Sequence, residues 1–318
     1  MPLTLTHDVL LKERTTLRLG GPALAEAVVS CEAGLDELAK LLHGLGGRPL
    51  ALGAGSNILA TDGPHALVLV RAANNAAPSF HAQPNAMSPE ATPGATPGAT
   101  PDTVIVRAGA GMGLPRLLGH CQRAGLTGLE GLTGVPGRVG GGVAMNAGSY
   151  GVELCRLLSR VRLWTPESGL VWRDAHDCAF GYRRFDPQLG SGLGAGFWVV
   201  WEAEFALRAD ESPAVRRRME TAYARKKATQ PVTARSAGCV FKNPAGLTAG
   251  MSAGRLLDEV GLKGRRLGGM SFSPLHANFL INEGGGTAAE ALELMEYGRA
   301  MVFDRFSLNL ETEVKVLS

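Results

Sequence analysis

Residues 134–151 read Gly-Val-Pro-Gly-Arg-Val-Gly-Gly-Gly-Val-Ala-Met-Asn-Ala-Gly-Ser-Tyr-Gly, and seven of these eighteen residues are glycine. A hydrophobic core cannot be built from so few large side chains, whereas a backbone that closely approaches a planar ligand or a pyrophosphate needs this bareness. A glycine-rich surface loop is the alternative, but it does not explain the apolar residues Val135, Val139 and Val143 between the glycines. The stretch therefore predicts a ligand-binding backbone.

The whole chain is rich in glycine, with 43 among 318 residues, where an average composition gives roughly 22. No Gly-X-Y period runs through it, which excludes a collagen-like protein. Apolar residues make up 45% and charged residues 19% of the chain, as is typical of a globular protein with a core. The net charge of +3 is too small to favour a nucleic-acid-binding protein. The length predicts two or three domains, at roughly 100–200 residues each.

The sequence contains no targeting or membrane signal. No basic N-terminal segment precedes an apolar run, and no run of about 18 apolar residues occurs, so we expect neither a signal peptide nor a membrane span. Five cysteines without a C-x-x-C pair, and seven scattered histidines, predict no disulfide scaffold and no metal site. We therefore expect reduced thiols in a cytoplasmic protein.

Hydrophobic periodicity predicts alternating strands and helices in the first part of the chain. Residues 23–30, 49–53 and 66–71 are typical of strands and residues 34–46 of a helix, which together predict a small α/β unit. Residues 76–103 contain the repeat ATPG-ATPG-ATPD. We expect them to form a disordered surface loop, because their low apolar content cannot offset the entropy of ordering.

Beyond this insert, the sequence predicts a strand at 104–107, a short helix at 114–124, a charged helix at 213–227 and a final strand at 307–317. Residues 104–113 also imitate a dinucleotide-binding fingerprint, although the third glycine comes one residue early. A glycine-rich turn between a strand and a helix is the other interpretation. No P-loop motif occurs.

Two further segments carry polar groups suited to chemistry. In Leu52–Leu59 (LGAGSNIL), two glycines allow a sharp turn whose N–H groups can converge on an anion, although an ordinary tight turn explains the pattern equally well. In Ser236–Pro244 (SAGCVFKNP), a cysteine next to glycine is suited to act as an acid or a nucleophile. A buried, inert cysteine is the alternative.

Taken together and in order, these segments resemble those of the UDP-N-acetylenolpyruvoylglucosamine reductase family, flavoenzymes of bacterial peptidoglycan precursor synthesis. The resemblance runs through nearly the whole chain. The segments that carry it are RTTLRLGGPA at 14–23, LGAGSNIL at 52–59, GLEGLTGVPGRVGGGVAMNAGSYG at 128–151, FGYR at 180–183, SAGCVFKNP at 236–244, AGRLLDEVGLKGRRLGG at 253–269, HANFLIN at 276–282 and LETEV at 310–314.

The resemblance implies an α+β fold, namely the two-subdomain FAD-binding fold of the p-cresol methylhydroxylase and vanillyl-alcohol oxidase type with a C-terminal α/β substrate domain. We accordingly expect FAD-binding subdomains at 1–75 and 104–208, the disordered insert at 76–103, and a substrate-binding domain at 209–304. The last strand, at 305–318, would be part of the second FAD-binding subdomain and return to the site. The expected partners are a small UDP-sugar and NADPH, with no nucleic acid or membrane, and we expect a monomer.

The resemblance also implies FAD as a non-covalent cofactor and NADPH as co-substrate. The pyrophosphate would lie against the backbone of residues 53–57, and residues 134–151 would surround the rest of the flavin. The implied FAD contacts are Gly53, Ala54, Gly55, Ser56, Asn57, Ile58, Pro136, Gly137, Gly140, Gly141, Met145, Asn146, Gly148, Tyr150 and Gly151.

By the same resemblance, NADPH reduces the flavin, and the enolpyruvyl ether of UDP-N-acetylglucosamine then takes the hydride at its terminal carbon and a proton at the adjacent carbon. Arg183 matches the family's arginine, which stabilises the developing enolate, and Glu313 matches its catalytic glutamate. The family's proton donor is usually serine, whereas this chain has Cys239. A thiol, with a pKa of about 8.5, is the stronger acid.

Substrate contacts are implied for Tyr182, Lys242, Asn243, His276 and Asn278. The chain departs from the family in lacking the serine that often follows the arginine of FGYR. It also lacks the tyrosine-bearing loop of one subgroup between residues 207 and 213, which favours the other subgroup and its more open substrate site.

Two other functions stay open on the sequence. A non-catalytic flavin or nucleotide-sugar sensor is one, although a sensor need not retain Arg183, Cys239 and Glu313 together. A related flavin oxidase acting on an alcohol or a sugar is the other. Many such oxidases attach FAD covalently through histidine or cysteine, and we find no matching position. Release of the yellow colour from denatured protein would distinguish non-covalent flavin binding from the covalent attachment found in many such oxidases.

Overall fold

The computed structural model describes residues 1–82, 103–189, 196–244 and 251–318. The first elements are β1 (Leu3–Leu10), β2 (Pro22–Val29), α1 (Ala33–Gly44), β3 (Arg48–Ala51), β4 (Ile58–Ala60), β5 (His65–Ala72), β6 (Ser79–Ala82), β7 (Thr103–Gly109), α2 (Leu114–Arg123), β8 (Leu126–Thr127), α3 (Val139–Ala144), β9 (Gly148–Ser149), β10 (Val152–Glu153) and β11 (Leu158–Thr165). The later ones are β12 (Gly169–Asp174), β13 (Ala179–Gly181), β14 (Arg184–Asp186), β15 (Val199–Ala209), α4 (Ser212–Thr229), β16 (Ser236–Cys239), α5 (Ala253–Glu259), β17 (Arg266–Leu267), β18 (Met270–Phe272), β19 (Phe279–Asn282), α6 (Ala288–Phe306) and β20 (Lys315–Leu317). This mixture of helices and largely antiparallel sheets confirms the predicted α+β class.

The chain forms two compact units, each assembled from three stretches of sequence. The first unit comprises Met1–Thr4, Ala27–Gly53 and Val70–Ala224, and the second comprises Leu5–Glu26, Ala54–Leu69 and Arg225–Ser318. One four-stranded sheet has the order β1-β2-β5-β3.

This division differs from the expected succession of domains. The first 75 residues do not form one subdomain, because they are shared between the two units. Residues 305–318 belong to the same unit as residues 225–304, which were expected to form a separate substrate domain. Among the described helices, none is both long enough and apolar enough to cross a membrane.

An antiparallel sheet forms the centre of the first unit, with the strand order β12-β11-β15-β7-β6 and with β8 paired to β15. Helix α2 buries Leu114, Leu117, Leu118 and Cys121, whose spacing of three and four residues places them on one face. They belong to the same apolar core as Phe205 of β15. Burial raises the pKa of the Cys121 thiol to about 12, so this cysteine is an unreactive core residue.

The disordered loop predicted at 76–103 includes residues that form a strand. Strand β6 pairs antiparallel with β7, with Ser79 opposite Arg107 and Ala82 opposite Val104. These residues are ordered because their backbone groups complete the edge of the sheet, which composition does not reveal. The Pro/Ala/Thr/Gly repeat itself lies outside the described residues.

A second antiparallel sheet, in the order β16-β19-β18-β17, organises the second unit. Helices α5 and α6 bury Leu256 and Leu294 in the same core as Phe241 and Phe272. Helix α6 begins with a capping box, in which the side chains of Thr287 and Glu290 each accept a hydrogen bond from the other residue's backbone N–H.

The final strand is much shorter than the predicted 307–317. Ser307 ends α6 in the left-handed conformation, and Thr312 makes only an isolated bridge to Phe241. The strand forms at β20, which pairs in parallel with β4, so that Lys315 lies opposite Ile58. Alternation alone therefore overestimated the strand by about eight residues, because the upstream residues have no strand partner of sufficient length.

The loop after β3 contains a glycine that no other residue can replace without strain. Gly55 has φ +63°, and a Cβ at this position would collide with the carbonyl oxygen of Arg14. We expect Gly55→Ala to lower the free energy of unfolding by about 1–3 kcal/mol, measured by urea unfolding. Gly63→Ala is the matched control, because a Cβ there meets nothing within 4 Å. Equal effects of the two substitutions would contradict this account.

Candidate active site

An open cleft lies in the first unit. Its wall is mostly apolar or bare backbone, which suits a ligand that is held by stacking and by close approach of the main chain. The residues lining it are Ala51, Leu52, Gly53, Val70, Ala72, Ala110, Arg138, Gly140, Gly141, Ala144, Trp198, Val199 and Val200. The glycine stretch 134–151 thus contributes its arginine, two glycines and an alanine to one wall.

The three consecutive glycines of α3 differ in what surrounds them. A Cβ on Gly140 would lie 2.8 Å from the Cβ of Ala110, and one on Gly142 would lie 3.0 Å from a methyl group of Leu154. These two glycines permit close packing within the protein. A Cβ on Gly141 would meet nothing within 4 Å, so this backbone is open to the cleft.

Asn146, which is predicted to contact the cofactor, connects the glycine stretch to a hairpin. Its side chain is buried, its Nδ2 donates to the carbonyl of Gly181 at 3.0 Å, and its Oδ1 accepts from the backbone N–H of Cys155 at 3.0 Å. Its φ of +40° is a conformation that asparagine tolerates better than most residues. These contacts give Asn146 a structural role in positioning the hairpin β13–β14.

The hairpin presents Arg183 in a strained conformation. Gly181 pairs with Arg184, so Tyr182 and Arg183 form a two-residue turn, and Arg183 has φ +55°. Glycine or asparagine is the usual residue at the positive-φ position of such a turn, and strain of this kind is concentrated at functional sites. The guanidinium of Arg183 lies over the ring of Tyr182, 5.0 Å from its centroid.

Gly148 lies beside this arginine. A Cβ on Gly148 would be only 3.2 Å from Nη1 of Arg183, so the glycine leaves space for the guanidinium. The neighbouring Gly137 and Gly151, with φ of +134° and +80°, and Tyr150, with φ +48°, turn the backbone through left-handed conformations. The first unit therefore brings together the predicted residues Tyr182, Arg183 and Gly148.

In the second unit, the loop expected to hold the pyrophosphate is hydrogen-bonded to the segment around Glu313 and, at Gly55, to Thr16. Asn57 donates from Nδ2 to the carbonyl of Glu313 at 3.1 Å and accepts at its own carbonyl from the N–H of Lys315 at 3.0 Å. The hydroxyl of Thr16 donates to the carbonyl of Ser236 at 2.6 Å and also lies 3.4 Å from the carbonyl of Gly55. The segment RTT at 14–16 therefore holds the loop against strand β16.

Cys239 and Glu313 are carried by adjoining backbone segments of this unit. Cys239 ends β16 opposite Phe279, after an irregularity at Gly238, whose φ is +79°. The N–H of Glu313 donates to the carbonyl of Val240, the residue after Cys239, at 2.7 Å. The structure thus brings together the two predicted catalytic residues of the second unit, while Arg183 belongs to the first.

The predicted substrate contacts of the second unit fall into two groups. Asn278 is buried and binds both backbone groups of Phe241 through its amide, and Asn243 accepts from the N–H of Ala253. These contacts give both asparagines structural roles, and the substrate contacts expected of them stay predictions. Lys242 lies nearer the surface, 3.1 Å from Glu311. His276 packs on Phe279, and burial lowers its pKa.

Sequence reasoning missed three residues that shape these sites. Arg138 was the only cation in the quoted glycine stretch, and that signal could have identified it. Thr16 lies within a segment that matched the family but was assigned no role. Trp198 follows the low-complexity residues 188–196, and no motif in the sequence indicates that it lines the cleft.

Comparison with known proteins covers the whole chain. The family model described as "UDP-N-acetylenolpyruvoylglucosamine reductase, C-terminal domain" matches residues 230–317. The UDP-N-acetylenolpyruvoylglucosamine reductase of Nitratidesulfovibrio vulgaris is 48% identical over 310 residues, which are 97% of this chain and 96% of that protein. The one of Oleidesulfovibrio alaskensis is 46% identical, over 99% and 98% of the two chains.

The chain belongs to the UDP-N-acetylenolpyruvoylglucosamine reductase family. The fold agrees with this membership, because the crystal structure of the UDP-N-acetylenolpyruvylglucosamine reductase of Thermus caldophilus matches with a TM-score of 0.75 and 31% identity over the full length of both chains. The predicted family is therefore confirmed, and with it the prediction that the chain is an oxidoreductase.

The family model covers the predicted site residues of the second unit. Residues 230–317 include Cys239, Lys242 and Glu313. The cleft and the hairpin of Arg183 lie outside that range, in the part of the chain covered by the full-length relatives.

Proposed function

We propose that this reductase converts the enolpyruvyl ether of UDP-N-acetylglucosamine to UDP-N-acetylmuramate, with NADPH as the hydride source and FAD as the bound cofactor. The reaction serves peptidoglycan precursor synthesis, and we propose that the enzyme works as a cytoplasmic monomer on this small-molecule substrate. The observation that supports the proposal most is the similarity to reductases of this name along nearly the entire chain.

The residues of the cleft fit a non-covalently bound FAD. Gly53 and Gly141 offer bare backbone to the cleft, the indole of Trp198 and several aliphatic side chains offer apolar surface, and Arg138 offers positive charge. None of the five cysteines lines this cleft, so a covalent link there through sulfur has no support. When bound, FAD supplies the redox chemistry that passes a hydride from NADPH to the substrate.

Side chains of the protein then have to stabilise the negative charge that hydride addition creates and to supply a proton. Addition of hydride to the terminal carbon of the enolpyruvyl group places negative charge on the adjacent carbon and its carboxylate. A planar guanidinium matches a carboxylate with two hydrogen bonds, so we assign Arg183 to stabilise this anion. The strained turn fixes where that guanidinium is presented.

Cys239 is assigned as the proton donor. Its S–H gives a proton to the carbon that bears the negative charge, so that hydride and proton together saturate the double bond and leave a thiolate to be reprotonated from solvent. We assign Glu313 to the polarisation of the enolate, since its backbone is hydrogen-bonded next to Cys239. The loop of Asn57 helps to position the segment of Glu313 through its bond to the carbonyl of this residue.

The decisive experiment separates the two half-reactions. The purified protein is expected to be yellow, to lose its absorbance near the flavin maximum when NADPH is added without oxygen, and to regain it when enolpyruvyl-UDP-N-acetylglucosamine is added. Product analysis should show UDP-N-acetylmuramate. A protein that NADPH reduces but that the enolpyruvyl substrate cannot reoxidise would exclude the proposed reaction and favour a different flavoenzyme.

The fit of the cleft can be tested at Gly141. We expect Gly141→Leu to weaken FAD binding more than tenfold, because the new side chain enters the cleft, while the free energy of unfolding stays equal or rises by up to about 1 kcal/mol as a helical glycine is removed. Binding is measured by quenching of flavin fluorescence. Gly119→Leu, on α2 outside the cleft, is the matched control, and a similar loss of FAD affinity in it would contradict the assignment.

A further inference from the structure

Arg138 is held rigidly at the wall of the cleft. Its backbone bridges to Gly113, and the N–H of the next residue donates to the carbonyl of Met112 at 2.8 Å. Its side chain is half-buried and donates from Nη1 to the carbonyl of Gly111 at 2.5 Å. One edge of the guanidinium is therefore anchored, and its remaining N–H groups are available to a ligand.

The charge of Arg138 is not compensated by an acid. Arg107, Arg160 and Arg162 of the same unit each form an ion pair with a glutamate. No carboxylate among the described residues pairs with Arg138, and the charged neighbour that acts on it is Arg71, another cation. Burial, and then the charge of Arg71, lower the pKa of Arg138. A half-buried guanidinium with no carboxylate partner is stabilised when an anionic ligand contacts it.

The position of this charge coincides with the start of the predicted pyrophosphate loop. A Cβ on Gly53 would lie 3.8 Å from the Cβ of Arg138. Arg138 is also the one charged residue among the described residues that line the cleft. A ligand that combines a flat apolar body with an anionic group would place the anion beside this side chain.

We propose that Arg138 binds the diphosphate of the flavin dinucleotide through its guanidinium N–H groups. This inference rests on the proposed function, because it takes FAD as the occupant of the cleft. Arginine suits the role because its planar donors match two phosphate oxygens and because it stays charged even when partly buried.

The test compares ligands with and without the diphosphate. FAD and riboflavin are titrated onto the flavin-stripped full-length chain, and Kd is measured by flavin fluorescence. We expect Arg138→Gln to weaken FAD binding by about 10- to 100-fold, the effect of losing a charge-assisted contact, and to leave riboflavin binding within about twofold of wild type. Arg116→Gln should change neither, since Arg116 likewise donates to a backbone carbonyl, that of Asn75, but is exposed outside the cleft.

Two results would overturn the inference. FAD affinity in Arg138→Gln equal to that in Arg116→Gln would show that no phosphate contact is lost, and equal weakening of riboflavin and FAD would show a structural role only. If Arg138→Gln does not fold, Arg138→Lys is used in its place. Because lysine keeps the positive charge, we expect this variant to bind FAD more tightly than riboflavin, and we expect the difference to decrease at high salt. A wild-type chain that binds FAD but fails to reduce the enolpyruvyl substrate would refute the proposed reaction while leaving this inference standing.

Discussion

Replacing Cys239 by alanine is expected to lower the rate of product formation by about 100- to 10,000-fold, the range for removal of a positioned proton donor. Reduction of the bound flavin by NADPH should proceed near the wild-type rate, because that half-reaction needs no proton from the thiol. Stopped-flow absorbance under anaerobic conditions measures the two halves separately. The split between them is the signature of a proton donor, since a general loss of structure would slow both.

Two companion variants sharpen this test. Cys239→Ser keeps a hydroxyl proton in the same place and should retain activity within about tenfold of wild type, because one positioned acid replaces another. Cys178→Ala removes a different partly buried thiol, which lies 3.4 Å from the carbonyl of Asp174 in the first unit, and should change neither half-reaction. Near-normal product formation by Cys239→Ala would eliminate the thiol as proton donor.

Arg183→Gln is expected to slow reoxidation of the reduced flavin by substrate about 100- to 1,000-fold, the range for loss of one strong donor to a developing anion. Glutamine keeps hydrogen-bonding ability but not the charge or the planar pair of donors. The measurement is again single-turnover reoxidation, with kcat and KM compared. We expect kcat to fall more than KM rises, because the anion forms only after hydride addition.

The adjacent arginine provides the control. Arg184 lies in the same hairpin, is exposed, and reaches only Asp186 at 3.5 Å. Arg184→Gln should therefore leave reoxidation within about twofold of wild type. If both substitutions slow the reaction equally, the effect comes from the hairpin as a whole and not from the guanidinium of Arg183.

The sequence indicated that the glycine stretch is special but did not show why each residue in it is glycine. Gly141 faces the cleft as expected, whereas Gly140 and Gly142 are bare because Ala110 and Leu154 pack against them. Composition cannot separate these two reasons, since both require the absence of a Cβ. The glycine excess therefore reflects internal packing as well as ligand approach.

The dinucleotide fingerprint at 104–113 was a wrong alternative, as the one-residue shift of its third glycine suggested. A strand and a helix do flank it, but β7 lies antiparallel to both β15 and β6, whereas that fingerprint requires parallel strands. Gly109 is glycine because a Cβ there would collide with the carbonyl of Asn74. Local spacing resembles the motif, and only the sheet direction distinguishes them.

Contacts between distant residues account for most of what sequence could not show. The bond from Thr16 to Ser236 spans 220 positions, and that from Asn57 to Glu313 spans 256. No periodicity links such pairs. The catalytic assignments came from family resemblance, and local physical reasoning alone left Cys239 open.

The interleaving of the two units along the chain has a consequence for how the protein reaches its native state. Because the second unit comprises residues 5–26, 54–69 and 225–318, it cannot be completed until the end of the chain has been synthesised, and strand β4 has to wait for its partner β20. Closing such long loops is slow, and unpaired strand edges promote aggregation in the meantime. Fragments cut at residue 75 or 208 would be poor candidates for independent expression, and chaperone supply during overproduction should affect the yield of soluble protein more than inducer strength does.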